Sequence, residues 1–227
     1  ATGAVASYPL PSAGSRPTGI AAGPDGNLWF TEFGGNRIGR ITPAGVITEF
    51  DLPNGSGPTS ITTGPDGALW FTQRTANAIG KITTAGVIST FTLPSAGSQP
   101  LDIAAGSDGN LWFTEFAGNR IGRITPAGLI AEFALPTSGA QPTQIAAAAD
   151  KNLWFTEAGT NRVARITTAG SITEFAVPTG SSGLTGIAGA ADGNVWFAES
   201  AGNRLGRVLT GVVPAATAAP AITGPST

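Results

Sequence analysis

Four glutamates recur at one place in a repeated pattern, and each is followed five residues later by an arginine. The pairs are Glu32 and Arg37, Glu115 and Arg120, Glu157 and Arg162, and Glu199 and Arg204. Carboxylates repeated around one opening could hold a cation. If each glutamate instead faces its arginine across a hairpin, the two form a cross-strand ion pair. The remaining repeat has Gln73 and Ala78 at these positions, and this joint loss favours the ion pair.

Histidine and cysteine are absent from the 227 residues. Their absence removes the commonest general base, the commonest metal ligand and every thiolate site. A Ser-His-Asp arrangement is excluded, and a Ser-Lys dyad would need Lys81 or Lys151, which no catalytic motif surrounds. We therefore assign no catalytic residue, no metal site and no cofactor.

The tryptophans reveal the repeat that must position these residues. All five, Trp29, Trp70, Trp112, Trp154 and Trp196, are spaced 41 or 42 residues apart. A fixed period of this size indicates a repeat architecture. Because every tryptophan occupies the same place in its repeat, we interpret them as core between repeats.

Each repeat contains four short β-prone runs separated by turn residues, as in Asp25-Gly26, Gly34-Gly35-Asn36 and Pro43-Ala44-Gly45. No run has the 3.6-residue period of a helix. The consecutive apolar residues Leu28, Trp29 and Phe30 require burial on both faces of the sheet. Four strands in about 40 residues, with sister sheets on both faces, describe a propeller blade. The repeated asparagines, such as Asn36, are expected to adopt positive φ.

We predict an all-β chain that forms a five-bladed β-propeller of four-stranded antiparallel blades. The small residues after the recurring isoleucine of the innermost strand suit a ring of few blades. Residues 2–11 align with the fourth strand of a blade, whereas the last repeat stops after its third strand. Pairing of these two segments would close the ring and remove a sheet edge. The predicted domain is residues 1–210, with blades at residues 17–53, 58–94, 100–136, 142–178 and 184–210 plus 2–11, followed by an Ala/Pro/Thr-rich tail, 211–227.

Composition limits the partners. Charged residues make up 11% of the chain and the net charge is −2, which argues against nucleic acid and anionic membrane surfaces as partners. No apolar run reaches the length of about 20 residues that a membrane-spanning helix needs. We expect a monomer that binds an unknown small molecule, sugar or peptide. The tail resembles a linker of exported proteins, which favours a secreted or wall-associated protein and leaves a cytoplasmic one open.

The candidate binding site lies where the repeats differ, at the end of the propeller at which the innermost strands begin, here called the mouth. Repeat proteins place function in such variable loops on one face. Phenylalanines at the tips of two hairpins are expected to be exposed there and to offer aromatic edges. The candidate ligand-binding residues are Arg16, Phe33, Arg74, Asp102, Phe116 and Gln144. Neutral variation of solvated loops would give the same pattern.

The repeat from Gly23 to Glu32, Gly-Pro-Asp-Gly-Asn-Leu-Trp-Phe-Thr-Glu, continues with Gly-Asn-Arg-Ile-Gly-Arg-Ile-Thr-Pro-Ala-Gly and ends with Glu-Phe-x-Leu-Pro. This repeat resembles that of the virginiamycin B lyase (streptogramin lyase) family, over residues 2–210. The resemblance implies a propeller, usually of seven blades, and a Mg-dependent elimination that opens the ester of cyclic depsipeptide antibiotics. It also implies a histidine base beside a carboxylate-held metal at the mouth. The five repeats counted here include no histidine, so no catalytic residue is carried over.

Two functional hypotheses follow. The first is a non-enzymatic binding or scaffold propeller, for example one with lectin-like binding of a small ligand at the mouth, and it predicts no ring opening of streptogramin B antibiotics. The alternative is a Mg-dependent lyase-like enzyme that uses an unusual base, with the mouth glutamates as the first residues to examine.

Overall fold

The computed structural model describes residues 3–212, and all regular structure in that range is β-strand. Its nineteen strands are β1 (Pro17–Ala22), β2 (Leu28–Glu32), β3 (Arg37–Ile41), β4 (Ile47–Asp51), β5 (Pro58–Thr63), β6 (Leu69–Gln73), β7 (Ala78–Ile82), β8 (Ile88–Thr92), β9 (Pro100–Ala105), β10 (Leu111–Glu115), β11 (Arg120–Ile124), β12 (Ile130–Ala134), β13 (Pro142–Ala147), β14 (Leu153–Glu157), β15 (Arg162–Ile166), β16 (Ile172–Ala176), β17 (Leu184–Gly189), β18 (Val195–Glu199) and β19 (Arg204–Val208). They form five antiparallel sheets, of which the first four have four strands and the last, β17 to β19, has three. The prediction of an all-β chain built from repeated antiparallel blades is confirmed. Within the described range, no helix is long and apolar enough to span a membrane. The predicted tail lies outside the described residues except for 211 and 212, as does Thr2 of the predicted N-terminal strand.

An aspartate stabilises the turn between the first two strands of each blade through hydrogen bonds. Asp25 Oδ1 accepts hydrogen bonds from Asn27 N–H at 3.2 Å and from Trp29 Nε1–H at 3.1 Å. Trp29 is fully buried, so without this acceptor its indole N–H would be unsatisfied. The same bond joins Asp66 to Trp70, Asp108 to Trp112, Asp150 to Trp154 and Asp192 to Trp196. One aspartate thus stabilises both the turn and the position of the tryptophan.

The asparagines of the second hairpin adopt positive φ, as predicted. Asn36, Asn77, Asn119, Asn161 and Asn203 have φ between 51 and 56°. In the first four blades the side chain of this asparagine also reaches the connection to the next blade: Asn36 Oδ1, for example, accepts a hydrogen bond from Gly57 N–H at 2.9 Å. The turn residue therefore also links neighbouring blades.

The core lies between blades, and the tryptophans are part of it, as predicted. Trp29 and Ile38 of the first blade pack against Ile61, Leu69 and Phe71 of the second. The Trp29 ring also stacks on Phe50 of its own blade, with ring centroids 5.4 Å apart. The other inner interfaces repeat this arrangement. Trp196 differs, because it is 36% exposed.

The innermost strands pack side by side in the order β1, β5, β9, β13 and β17. The hairpin between the second and third strands meets the connection that enters the first strand. In the first blade, Phe33 N–H donates to the Arg16 carbonyl at 3.2 Å and Gly34 N–H donates to the Ser15 carbonyl at 3.0 Å. These bonds bring the two sets of loops together at the mouth.

Residues 3–10 belong to no strand of the described sheets. The Tyr8 ring nevertheless covers Gly45, where an added Cβ would lie 2.3 Å from a ring carbon. Phe50, Phe91 and Phe133 cover Gly86, Gly128 and Gly170 of the following blades in the same way. Tyr8 therefore occupies the place ahead of the first blade that a fourth-strand phenylalanine occupies ahead of the next three blades. Its pairing with β19, and with it closure of the ring, stays a prediction.

Candidate functional site

The repeated glutamates face their arginines in the backbone register but do not pair with them. Glu32 lies opposite Arg37, and Glu157 lies opposite Arg162. Arg37 Nε instead contacts Asp51 Oδ1 at 2.7 Å, and Arg162 Nη1 contacts Glu174 Oε2 at 3.1 Å. Both acceptors lie on the fourth strand, which is the other neighbour of the arginine. The predicted ion pair within each hairpin is therefore wrong: the arginine reaches outward while the glutamate turns inward.

A second carboxylate explains why acid and base are lost together in the second blade. Glu49 accepts hydrogen bonds from the backbone N–H and the hydroxyl of Ser12, and Glu132 and Glu174 hold Ser95 and Thr137 in the same way. The second blade has Thr90 at this position, and Gln73 Nε2 donates to Thr90 Oγ1 at 3.2 Å. Two acids and one arginine thus vary together, and in the second blade all three are replaced by uncharged residues.

The inward glutamates are buried and form no ion pair within the described residues. Glu32, Glu115 and Glu157 are each 0% exposed, and neither carboxyl oxygen of Glu32 or Glu115 has a hydrogen-bond partner in the described structure. Burial, with a smaller contribution from the acid on the fourth strand, raises the pKa of Glu115 to about 7 and that of Glu157 to about 7. Burial raises the pKa of Glu32 as well. These groups are therefore closer to neutral than an exposed glutamate.

The mouth contains a polar cluster built by three successive innermost strands. Asp102 on β9 accepts a hydrogen bond from Ser60 Oγ at 2.6 Å and another from Ile145 N–H at 2.8 Å. Burial raises the pKa of the Asp102 carboxyl, and these two hydrogen bonds oppose that rise. A cavity of about 370 Å³ opens beside the cluster, lined by Thr18, Gly19, Thr59, Ser60, Leu101, Asp102 and Gln144. Gln144 is exposed there, so its side-chain amide is free to meet a ligand.

The other four candidate residues form two cation–π pairs at the rim. The Arg16 guanidinium lies 5.3 Å from the centre of the Phe33 ring, within one blade. The Arg74 guanidinium lies 5.7 Å from the Phe116 ring of the next blade and donates to Gln99 Oε1 at 3.1 Å. Both phenylalanines are half-buried, so the expectation that they are exposed is wrong. A guanidinium covers each ring because the attraction to the π face holds it there.

Three rim residues adopt a backbone conformation that favours glycine. Arg16, Gln99 and Gln141 precede the first strand with φ of 48, 51 and 51°, and Gly57 and Gly183 occupy the same place in other blades. In this left-handed region of φ, a residue that has a Cβ lowers the stability by about 1 kcal/mol or more relative to glycine. The long polar side chains at the rim are thus present despite a local cost.

The structure therefore divides the six predicted residues into three pairs. Asp102 and Gln144 share the cavity, whereas the pairs Arg16 with Phe33 and Arg74 with Phe116 lie outside its lining. Ser60 belongs to the site but was not a candidate. Its position directly before the recurring isoleucine, shared with Asp102 and Gln144, was the signal that could have identified it.

Metal binding at this site lacks a suitable ligand set. Residues 3–212 contain no group of three or more acidic, histidine or cysteine side chains that could hold an ion. Asp102 is the one acid in the lining of the mouth cavity, and both its oxygens already accept hydrogen bonds. The described residues therefore do not fit a Mg²⁺ site.

The model of the virginiamycin B lyase family matches residues 1–208. Among curated proteins, the virginiamycin B lyases of Bordetella parapertussis and Bordetella bronchiseptica are each 53% identical over 36 residues, which cover 16% of this chain and 12% of each lyase. The match thus spans a small part of those relatives.

Solved structures show a longer likeness. A streptogramin B lyase structure is 45% identical with a TM-score of 0.84, covering 88% of this chain and 67% of its own. Virginiamycin B lyase from Staphylococcus aureus, selenomethionine-substituted, is 47% identical with a TM-score of 0.85, covering 88% and 68%. A catalytically inactive histidine-to-alanine variant of that lyase with quinupristin is 44% identical with a TM-score of 0.86, covering 89% and 69%. This chain spans about two thirds of the length of these lyases.

Proposed function

The chain belongs to the virginiamycin B lyase family, and on that premise we propose that it acts as a streptogramin lyase-type protein that takes a cyclic depsipeptide at its mouth. The observation that carries the proposal is the likeness to solved streptogramin lyases, at 44 to 47% identity over nearly nine tenths of the chain. One of these structures contains quinupristin. The lyase-like reading is therefore favoured over an unrelated binding role such as a lectin.

The mouth offers contacts that suit such a ligand. A depsipeptide ring presents carbonyl oxygens and amide N–H groups together with apolar side chains. The Gln144 amide can donate to one and accept from the other, and Thr18 and Thr59 line the same cavity. The half-buried rings of Phe33 and Phe116 offer apolar edges at the rim.

Ring opening by elimination would use the carboxylate at the mouth. In that reaction a base takes a carbon-bound proton, the adjacent carbon–oxygen bond of the ester breaks, and a carboxylate leaves. Asp102 is the acidic residue that lines the cavity, and its raised pKa moves it towards the strength that a base needs near neutral pH. Glu115 and Glu157 have suitable pKa values but are fully buried. No step of this proposal passes through a metal ion.

Binding without turnover is the second candidate. It is favoured by the absence of histidine from these 227 residues, considered beside the inactive histidine-to-alanine variant of the S. aureus lyase. A well-placed general base raises the rate roughly 10² to 10⁴-fold. A carboxylate that is poorly placed to take the proton would therefore give slow turnover.

The test is to incubate the protein with a streptogramin B antibiotic, with Mg²⁺ and separately with a chelator. Ring opening is followed by chromatography with mass spectrometry, and binding by calorimetry. Elimination yields a linear product of unchanged mass, whereas hydrolysis would add the mass of water and contradict the proposal. Loss of turnover in Asp102→Asn, with turnover retained in Ser89→Ala on an outermost strand, would support Asp102 as the base.

Gln144→Ala tests binding separately, because the Gln144 side chain makes no hydrogen bond within the described structure. One lost hydrogen bond to an uncharged ligand weakens binding by about 2 to 10-fold. Saturable binding that Gln144→Ala weakens, without turnover, would establish the second candidate. Absence of both binding and turnover would refute both.

A further inference from the structure

One asparagine at the mouth is followed directly by a glycine. Asn54 and Gly55 lie in the connection between β4 and β5, and they form the one Asn-Gly pair in the 227 residues. The carbonyl carbon of an asparagine side chain, Cγ, can be attacked by the backbone nitrogen of the next residue. Glycine crowds that nitrogen least because it has no Cβ. Whether the attack occurs depends on what holds the two groups in the folded protein.

Asn54 and Gly55 occupy the two central positions of an exposed β-turn. Ser56 N–H donates to the Pro53 carbonyl at 3.2 Å, and Gly55 has a φ of 80°, the value at the third position of a type II turn. Both central residues are exposed, and a Cβ built on Gly55 would meet no atom within 4 Å. Within residues 3–212, neither the Asn54 side chain nor the Gly55 N–H makes a hydrogen bond. Both reacting groups are therefore unrestrained.

The four Asp-Gly pairs of the chain are held in both places. In the first of them, Gly26 N–H donates to the Gly23 carbonyl at 3.2 Å, and the Asp25 carboxylate accepts from Asn27 N–H and from the Trp29 indole. The nitrogen that would attack and the carbon that would be attacked are thus both fixed. The same two restraints act on Asp66-Gly67, Asp108-Gly109 and Asp192-Gly193. The turn at Asn54 lacks both.

We propose that Asn54 is a site of spontaneous deamidation, in which the backbone nitrogen of Gly55 attacks Asn54 Cγ. A carbon–nitrogen bond forms, the bond from Cγ to the side-chain nitrogen breaks, and that nitrogen leaves as ammonia with the proton of the Gly55 N–H. The five-membered succinimide that remains is opened by water at either carbonyl, which gives aspartate or isoaspartate. The reaction consumes only water, and it does not depend on the proposed function.

Both products change the connection at the mouth. Aspartate adds a negative charge, and isoaspartate in addition routes the main chain through one more carbon atom. This connection is one residue shorter than the other four that enter a first strand. Gly57, two residues further on, is held by the hairpins on either side, since its N–H donates to Asn36 Oδ1 at 2.9 Å and its carbonyl accepts from Arg74 N–H at 3.0 Å. A longer main chain beside Gly57 therefore acts on both hairpins.

The experiment incubates the folded protein at pH 8 for several weeks and digests samples with trypsin. Residues 41–74 are released as one peptide, because they lie between Arg40 and the cleavage after Arg74 and contain no other lysine or arginine. The peptide includes both Asn54-Gly55 and Asp66-Gly67, so it contains its own control. Deamidation raises its mass by about 1 Da, whereas isomerisation of Asp66 leaves the mass unchanged and is located by electron-transfer fragmentation. We expect the gain in mass at Asn54 and no isoaspartate at Asp66.

Two variants and the unfolded chain complete the test. Asn54→Ser removes the reactive amide and should abolish the gain in mass. Gly55→Ala keeps the amide but crowds the attacking nitrogen, so the gain should be several-fold slower; circular dichroism checks that both variants are folded. In guanidinium, where the hydrogen bonds of the turns are lost, Asn54 and Asp66 should both react.

Three outcomes would overturn the proposal. A folded protein that gains no mass at Asn54, whether or not the unfolded chain does, would show that the turn does not permit the attack. A gain in mass that persists in Asn54→Ser would place the reaction at another residue. Isoaspartate that forms at Asp66 in the folded protein as fast as Asn54 reacts would show that the hydrogen bonds do not decide which pair is modified.

Discussion

Replacing Glu115 with glutamine should stabilise the protein in a pH-dependent way. The carboxyl is fully buried, and its pKa is raised to about 7 from the ordinary value of 4.5, mainly because burial disfavours the charged form. Below about pH 4.5 the group is protonated in both folded and unfolded chains, so burial costs no ionisation energy. As pH rises towards 7, the unfolded chain ionises first and the free energy of unfolding falls. Above the folded pKa the loss is complete.

The size of the effect follows from the shift. At about 1.4 kcal/mol for each pKa unit, raising the pH from 4 to 8 removes about 3 kcal/mol of stability through this one group. Glutamine cannot ionise, and the second blade already carries Gln73 in the equivalent place, where its amide donates to Thr90. In the third blade the same amide would meet the acceptor Glu132. We therefore expect Glu115→Gln to match the wild type near pH 4 and to exceed it by about 3 kcal/mol at pH 8.

Urea unfolding at pH 4, 5, 6, 7 and 8 measures this difference directly. Asp51→Asn is the control, because Asp51 is a carboxylate whose side chain is 84% exposed, and its effect should be small at every pH. A Glu115→Gln difference that stays constant from pH 4 to 8 would show that the carboxyl is not desolvated and would refute the reasoning.

Two further changes test local features of the repeat by the free energy of unfolding in urea. Gln141→Gly should be neutral or stabilising by up to about 1 kcal/mol, because the backbone φ of Gln141 is 51°. Gln144→Gly, within strand β13, should instead destabilise the protein by about 0.5 to 1 kcal/mol. A change of the same sign in the free energy of unfolding for both variants would contradict the strain at Gln141. Asp108→Ala should cost about 1 to 3 kcal/mol because the fully buried Trp112 loses the acceptor for its indole N–H. Asp192→Ala is the matched control. It should cost less stability, because the tryptophan of the fifth blade is partly exposed to water. Equal losses in the two variants would argue against the role of burial.

The repeat made much of the fold predictable. Tryptophans at a fixed period, Asp-Gly and Gly-Asn turns and consecutive apolar residues such as Leu28 and Phe30 specify strands, hairpins and faces that need neighbours. Local turn chemistry also predicted the positive φ of Asn36, because asparagine tolerates that conformation. These features depend on residues close together in sequence, which is why pattern alone was sufficient.

The side-chain partners were less predictable. The hairpin register correctly predicted that Glu32 lies opposite Arg37. A third strand, however, has a neighbouring strand on each side, and Arg37 forms its ion pair with Asp51 on the fourth strand. The parallel replacement of a fourth-strand acid by Thr90 in the second blade was the signal that could have revealed this. Contacts at the mouth, such as Ser60 with Asp102, depend on the spacing between blades, which no single repeat specifies.

The cavity at the mouth is built by first strands alone. The cavity is lined by the first strands of blades one to four, and no residue of the fifth blade contributes to it. Leu205 lies on a third strand, and its counterpart Ile38 belongs to the core between blades. A change at Leu205 therefore does not touch a ligand bound in the cavity. A ligand that bridges the first strands instead holds neighbouring blades together and stabilises the folded chain by its binding free energy.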